Sequence, residues 1–280
     1  MSAIYRSEAG EREILRRYRE VLDAWPVPAE RVRLPTREGE TFVLVSGPED
    51  APPVVLLHGS GANGSTWAGD VASWSRNLRV HAVDMVGEPG LSAPSRPALD
   101  SDAVALWLDD VMEGLGLSRA AFVGMSLGGW TALDHAIRRP GRVERLALVC
   151  PGGIGRQTPL RLAAALVWSP FGRWGRRRSV RAVLGLHAPE HTPVVDEVTA
   201  TFRAFLPRTE RLPVFSDADL RGLETPMFVV VGGRDRMFDS ARTARRVREH
   251  VPHATVTVLP DAGHALMGQG PAVLDFLRAG

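Results

Sequence analysis

Residues 119 to 141 constrain this chain more than any other stretch. The apolar run Arg119-Ala120-Ala121-Phe122-Val123 leads directly into Gly124-Met125-Ser126-Leu127-Gly128-Gly129, and a helix-like segment, Trp130 to Arg139, follows and stops at Pro140-Gly141. A strand that turns within so few residues into a helix forces the backbone at Ser126 into a sparsely populated conformation. Glycines at 124 and 128 leave room where a Cβ would strike the adjoining strand and helix. Ser126 is thereby presented at a helix N-terminus, whose unpaired amide hydrogens and partial positive charge favour negative charge developing beside it. The same letters also describe a glycine-rich turn with a solvent-facing serine. The other strand ends decide between these readings.

The chain around this turn alternates short buried strands with helices. Residues 8 to 25, with Ile14, Leu15, Tyr18, Val21, Leu22 and Trp25 spaced three or four apart, form an amphipathic helix that ends before Pro26. Arg31 to Leu34 and Thr41 to Ser46 then read as an antiparallel hairpin. From Val54 the apolar runs are unbroken, as in a parallel sheet covered on both faces: Val54 to Leu57, Arg79 to Asp84, Ala120 to Gly124, Leu146 to Val149, Pro226 to Gly232 and Thr255 to Leu259. Helices are expected at about 67–76, 100–115, 127–139, 240–250 and 271–278. The fold class is therefore α/β, with a mostly parallel eight-stranded sheet, helices on both faces and one interruption.

That interruption is residues 151–222, rich in Pro, Arg and aromatics, too long for a structureless loop in a compact domain and so read as an inserted helical lid. Residues 1–150 and 223–280 form the core, with 1–28 as an N-terminal helical extension. Leu166, Trp168, Phe171 and Trp174 are expected to wall an apolar substrate pocket beneath the lid.

Ligands of an open parallel sheet bind at the carboxyl ends of its strands, and three such ends carry reactive groups. After Val54-Val55-Leu56-Leu57 comes His58-Gly59-Ser60-Gly61-Ala62-Asn63-Gly64, a loop whose backbone can approach a ligand closely. It lacks the lysine of a phosphate-binding P-loop. After Phe228-Val229-Val230-Val231 comes Gly232-Gly233-Arg234-Asp235, and after Val256-Thr257-Val258-Leu259 comes Pro260-Asp261-Ala262-Gly263-His264. A serine, a carboxylate and an imidazole thus stand at strand ends in the order Ser126, Asp235, His264, which fits nucleophile, orienting acid and base. The amides of Ser60 and Leu127 would supply the oxyanion donors. Taken singly, Asp235 or Asp239 could instead cap the helix near Ser240, and His264 could be an ordinary loop residue.

On His58-Gly59-Ser60-Gly61, Gly124-Met125-Ser126-Leu127-Gly128-Gly129, Gly232-Gly233-Arg234-Asp235 and Gly263-His264, the chain resembles the α/β-hydrolase superfamily from about residue 30 to 280. Within it, the likeness is to lid-bearing carboxylesterase-like serine hydrolases. The resemblance implies the α/β-hydrolase fold and hydrolysis of a carboxylic ester or lactone through an acyl-enzyme, with a Ser126-His264-Asp235 triad and no metal or organic cofactor. A serine at the turn argues against epoxide hydrolase and haloalkane dehalogenase chemistry. One departure stands out: members commonly carry Asp-x-x-Gly-His-Gly-x-Ser where this chain has Asp84-Met85-Val86-Gly87-Glu88-Pro89-Gly90-Leu91-Ser92. Glu88 is read as part of a reshaped structural loop, a substrate contact being the other reading. Two further uses of the same site are a biosynthetic thioesterase or cyclase acting on a carrier- or CoA-bound acyl group, and a non-catalytic small-molecule receptor.

Charge and composition limit the partners. All 34 basic residues are arginines, yet the formal net charge is only +2, which argues against nucleic acid as a partner. Residues 151–222 hold 11 Arg against 6 acidic residues, with Arg176-Arg177-Arg178 the densest cluster. A solvated face or attraction of an anionic substrate would each account for it. No apolar run approaches the ~20 residues that cross a bilayer, and the polar start Met1-Ser2-Ala3-Ile4-Tyr5-Arg6 suggests a cytoplasmic protein. The single cysteine, Cys150, excludes an internal disulfide and reads as a buried small hydrophobe. The expected partner is a small-molecule ester; the lid and N-terminal helix both offer surfaces for a homodimer.

Overall fold

The computed structural model describes residues 4–279; Met1, Ser2 and Ala3 of the N-terminal reading lie outside the described residues. Helix α1 (Glu8–Asp23) is started by Ser7, whose side chain accepts from the Gly10 amide, and buries Ile14, Tyr18 and Leu22 along one face. Strands β1 (Ala29–Thr36) and β2 (Gly39–Ser46) pair as an antiparallel hairpin. Six more strands follow: β3 (Pro53–Leu57), β4 (Arg79–Val83), β5 (Ala120–Met125), β6 (Val143–Val149), β7 (Met227–Gly232) and β8 (Thr255–Leu259). The 8-stranded sheet runs β1-β2-β4-β3-β5-β6-β7-β8, and every pair beyond β2–β4 is parallel.

Helices α2 (Val71–Trp74), α3 (Ala103–Gly114) and α4 (Leu127–Arg138) precede the insertion, and α9 (Ser240–His250) and α10 (Gly270–Arg278) follow it. Side chains alternate between the two faces of a strand, so the unbroken apolar runs feed two cores at once. Val55, Leu57, Phe122, Leu146, Leu148, Val229 and Val231 pack with Trp107 of α3, Leu133 of α4 and Val247 of α9. Val54, Leu56, Val123, Ala147 and Val230 pack on the opposite face with Tyr18 and Leu22 of α1, Trp74 of α2 and Leu277 of α10. The helix expected at 67–76 is shorter than its apolar spacing suggests. A 3-10 turn at Gly64–Trp67, capped by Asn63, and the single turn α2 replace it, with Gly69-Asp70 between them.

Between β6 and β7 lie α5 (Pro159–Leu166), α6 (Gly172–Leu184), α7 (Thr192–Ala204) and the short α8 (Asp217–Arg221). The two ends of this segment are built into the core: Ile154 is buried in the α3–α4–α9 cluster, and Leu220 of α8 joins it. The end of α7 is tied to the N-terminal segment. Arg6 N–H donates to Ala204 O at 2.8 Å, Leu206 N–H to Ile4 O at 2.8 Å, and Tyr5 packs edge-on against Phe205. Among the described residues, no helix is long and apolar enough to cross a membrane.

Several buried groups make stability depend on pH. His58, His81 and His135 titrate at about 4, lowered chiefly by burial. Unfolding returns each to its ordinary value near 6.5 and takes up protons, so their contribution is lost as pH falls through that window. Asp84 and Glu88, raised by burial to about 6 and about 7, have the opposite sign: they bind more protons folded, and unfolding releases them. Asp70 and Asp134, also raised by burial, share that sign, so the carboxyls and the histidines oppose one another as pH falls.

Candidate active site

Ser126 sits between the end of β5 and the first residue of α4 with φ 53 and ψ −108, a left-handed backbone that a non-glycine residue adopts only under constraint. The constraint is visible. Ser126 N–H donates to Val149 O at 3.0 Å, and its carbonyl accepts from Trp130 at 3.0 Å and Gly152 at 3.1 Å. The flanking glycines permit it: a Cβ on Gly124 would lie 2.4 Å from Gly128 O, and one on Gly128 would lie 2.1 Å from Leu57 O.

The other strand ends meet this serine. The Ser126 hydroxyl lies 3.0 Å from His264 Nε2, and His264 Nδ1 lies 2.8 Å from Asp235 Oδ2. A carboxylate only accepts, so Nδ1 carries the proton and Nε2 is left to accept from Ser126. The second oxygen of Asp235 accepts from the amides of Met237 (2.6 Å) and Phe238 (3.1 Å), which fixes the plane of the carboxylate. All three side chains are buried. Asp239 takes the capping role, accepting from Arg242 N–H at 2.9 Å, and so frees Asp235 for the imidazole. The loops carrying Asp235 and His264 touch through Gly232, where a Cβ would be 1.9 Å from Gly263 O. Cys150 lies behind them, its thiol pushed well up by burial and by Asp235.

The loop after β3 lies against the serine: a Cβ on Gly59 would be 3.5 Å from Ser126 Cβ. Among the described residues, the Ser60 and Leu127 amides donate to no protein acceptor, whereas Gly61 N–H donates to Glu88 Oε2 at 2.6 Å. The Ser60 hydroxyl also points to Glu88, 3.2 Å from Oε2. Glu88 is buried, and desolvation raises its carboxyl to about 7 despite these donors and the nearby Arg96 and Arg208. His58 is neutral and internal to the loop: Nδ1–H donates to Gly59 O at 2.9 Å and Nε2 accepts from Met85 N–H at 3.0 Å. Asp84 completes the frame, accepting from Tyr18 Oη–H and the Gly64 amide, both at 2.8 Å, and from Leu91 N–H at 2.7 Å. The segment carrying Glu88 is thus an internal brace for the loop after β3.

The insertion touches the site at points the sequence reading misses. Gly185, the left-handed residue ending α6, abuts Gly263, and Leu184 O accepts from Ala265 N–H at 3.0 Å, one residue from His264. The ring of Phe202 on α7 covers Gly61, and from the core Phe238, after β7, lies 5.4 Å from the His264 imidazole. A glycine closing α6 is a legible C-cap, but nothing in the spacing reveals its contact with Gly263 or the reach of Phe202.

The four side chains expected to wall a pocket are largely exposed. Leu166, Trp168, Phe171 and Trp174 are 43%, 37%, 64% and 62% exposed. Trp168 packs against Phe171 and Trp174, and Arg178 lies over both tryptophan rings. The apolar pattern predicts an inward face, but these rings are satisfied by one another and by a guanidinium at the outer surface.

Known proteins share this arrangement of chain. Carboxylesterase YbfK of Bacillus subtilis is 30% identical over 94% of this chain and 93% of its own length. The crystal structure of carboxylesterase CesB (YbfK) covers 97% of this chain and 99% of that one with a TM-score of 0.84 at 28% identity. The crystal structure of naproxen esterase from Bacillus subtilis covers 96% of each chain with a TM-score of 0.78 at 28% identity. With the model of the alpha/beta hydrolase family matching residues 54–276, the chain belongs to that family.

Proposed function

We propose that this chain is a carboxylic ester hydrolase that works through an acyl-enzyme on Ser126. The observation that carries the reading is the continuous hydrogen-bond relay from Ser126 through His264 to Asp235, set beside two amides without acceptors. In the first step His264 Nε2 takes the hydroxyl proton as Ser126 Oγ attacks the ester carbon, and Asp235 stabilises the imidazolium. The Ser60 and Leu127 amides receive the oxyanion, each such donor typically contributing about 10²- to 10³-fold in rate. Collapse expels the alcohol, which takes the proton from His264. Water then repeats the sequence against the acyl group, releasing the carboxylic acid and restoring Ser126. A lactone enters the same steps with its alcohol still tethered. The names of the related carboxylesterases support the ester class.

In this reading α5, α6 and α7 form a lid within the 151–222 insertion, with Phe202 and Phe238 rather than the outer tryptophans nearest the reacting centre. The decisive experiment is hydrolysis of p-nitrophenyl esters from acetate to octanoate, combined with a fluorophosphonate probe. Turnover and a single adduct mapped to Ser126 are expected. A folded protein that neither turns over any ester nor takes the probe would favour the receptor reading.

Glu88 holds the oxyanion loop in this mechanism. Glu88→Ala removes Oε2, the oxygen that accepts from both the Gly61 amide and the Ser60 hydroxyl, and leaves both donors without it. The expected result is a kcat lower by about tenfold, or ~1.4 kcal/mol of transition-state stabilisation, with KM little changed. Because the ionised carboxylate accepts both donors, wild-type kcat should also carry an acid limb near the carboxyl's raised value of about 7, and the variant should lose it. A pH–kcat profile of the two proteins checks this.

A further inference from the structure

Beside the relay is a second concave feature that the ester chemistry does not use. A cleft of about 860 Å³ is lined by Trp168, Arg173, Trp174, Arg177, Arg178 and Arg181, with Arg236 and His187 at its core side. Some arginines elsewhere find carboxylates, Arg138 with Asp134, Arg139 and Arg142 with Asp109, Arg246 with Asp217, whereas others on open surface, such as Arg119 and Arg245, pair with none among the described residues. In the cleft only Arg177 finds one, Asp196 at 2.7 Å. Among the described residues, Arg173, Arg178, Arg181 and Arg236 lie within ion-pair distance of no carboxylate.

These guanidinium groups are partly held in place. Arg178 is fixed over Trp168 at 4.8 Å and Trp174 at 5.7 Å, and Arg181 Nη2 donates to Thr192 Oγ1 at 3.1 Å while its buried Nε has no partner. Like charges converging on one concavity repel, and the arrangement is relieved when an anion accepts from several forks at once. The cleft also adjoins the reacting groups. Arg236 directly follows Asp235, a Cα step of about 3.8 Å, and His187 lies two residues beyond Gly185, which abuts the loop of His264.

We propose that this cleft is a subsite for a dianionic group of the phosphate class, carried on the portion of an ester substrate that extends away from Ser126. The inference rests on the esterase reading for its reaction, but the anion site itself does not. The guanidinium groups hold the phosphate oxygens by paired N–H donation, and Trp168 and Trp174 form the apolar wall beside them. Of the four side chains expected to wall a substrate pocket, Trp168 and Trp174 thereby line this subsite.

Two measurements test it, using the full chain and Arg173→Gln/Arg178→Gln, two cleft residues of α6 outside the ester-cleaving machinery. Calorimetric titration with inorganic pyrophosphate should give one site per wild-type chain, weakened at least tenfold in the variant and by added salt. The kcat/KM ratio for 1-butyryl-glycerol 3-phosphate over 1-butyryl-glycerol, which differ only in the phosphate, should exceed about tenfold in the wild type and fall toward one in the variant. p-Nitrophenyl butyrate turnover should be the same in both proteins. No pyrophosphate binding, or a ratio within twofold in the wild type, would overturn the subsite. Binding to phosphatidylglycerol vesicles with a ratio near one would overturn it in favour of a lipid surface. Loss of turnover on every ester with pyrophosphate binding intact would sink the esterase reading and leave the anion site standing.

Discussion

Ser126→Ala is expected to lower kcat for p-nitrophenyl butyrate by about a million-fold, the size of loss seen when a triad nucleophile is removed from an unrelated serine hydrolase. The substitution deletes one atom, Oγ, and with it the only hydrogen bond this side chain makes among the described residues, the 3.0 Å contact to His264 Nε2. Alanine inherits the same left-handed backbone, so the strain at φ 53 is unchanged and the fold should keep its thermal midpoint. The double variant Ser126→Ala/His264→Ala should be no slower than the single one, because a base without a nucleophile has no proton to take. What remains over the uncatalysed rate would belong to the Ser60 and Leu127 amides. A residual activity above one per cent would place the nucleophile elsewhere and remove Ser126 from the mechanism.

The contrast between Ser126 and Trp168 explains how far the chain could be read from its letters. The eight strands were legible because each is a short apolar run whose alternate residues must enter two different cores, and their carboxyl ends follow from that. Ser126, Asp235 and His264 stand at those ends, so their meeting needs only the sheet order. The sequence puts Asp235 at the tip of its strand but leaves open whether it or Asp239 caps the helix near Ser240. The choice depends on the turn at 236–238, whose amides grip Asp235 and bring Asp239 to the start of α9.

The insertion obeys no such framework. Its helices pack mainly on one another, on α1 and at a few points on the loops, so an apolar stripe there does not say which side faces inward. Glu88 was hidden for a related reason. A carboxylate in a Gly-Pro-Gly-rich loop normally points to water, and its burial arises from donors on a loop 27 residues earlier in the chain. Such long-range pairing leaves no local periodicity to read.

Asp235→Asn should cost about 10⁴-fold in kcat through a change of one proton's position, with folding intact. The amides of Met237 and Phe238 require an acceptor, so the asparagine must turn its carbonyl oxygen toward them and its NH₂ toward His264. An amide donor facing Nδ1 makes that nitrogen the acceptor and moves the imidazole proton to Nε2. His264 then presents N–H to Ser126 in place of a lone pair and cannot take its proton. The structure thus predicts the direction of the amide as well as the loss, and ¹⁵N spectra of the His264 ring would display the exchanged tautomer. Asp235→Ala provides the control: it removes the wrong-way donor and leaves two backbone amides without their acceptor. Its loss of stability should exceed that of the asparagine variant by about 1–3 kcal/mol. If both variants kept the wild-type tautomer and rate, His264 would be oriented by its loop alone, and Asp235 would have no part in the chemistry.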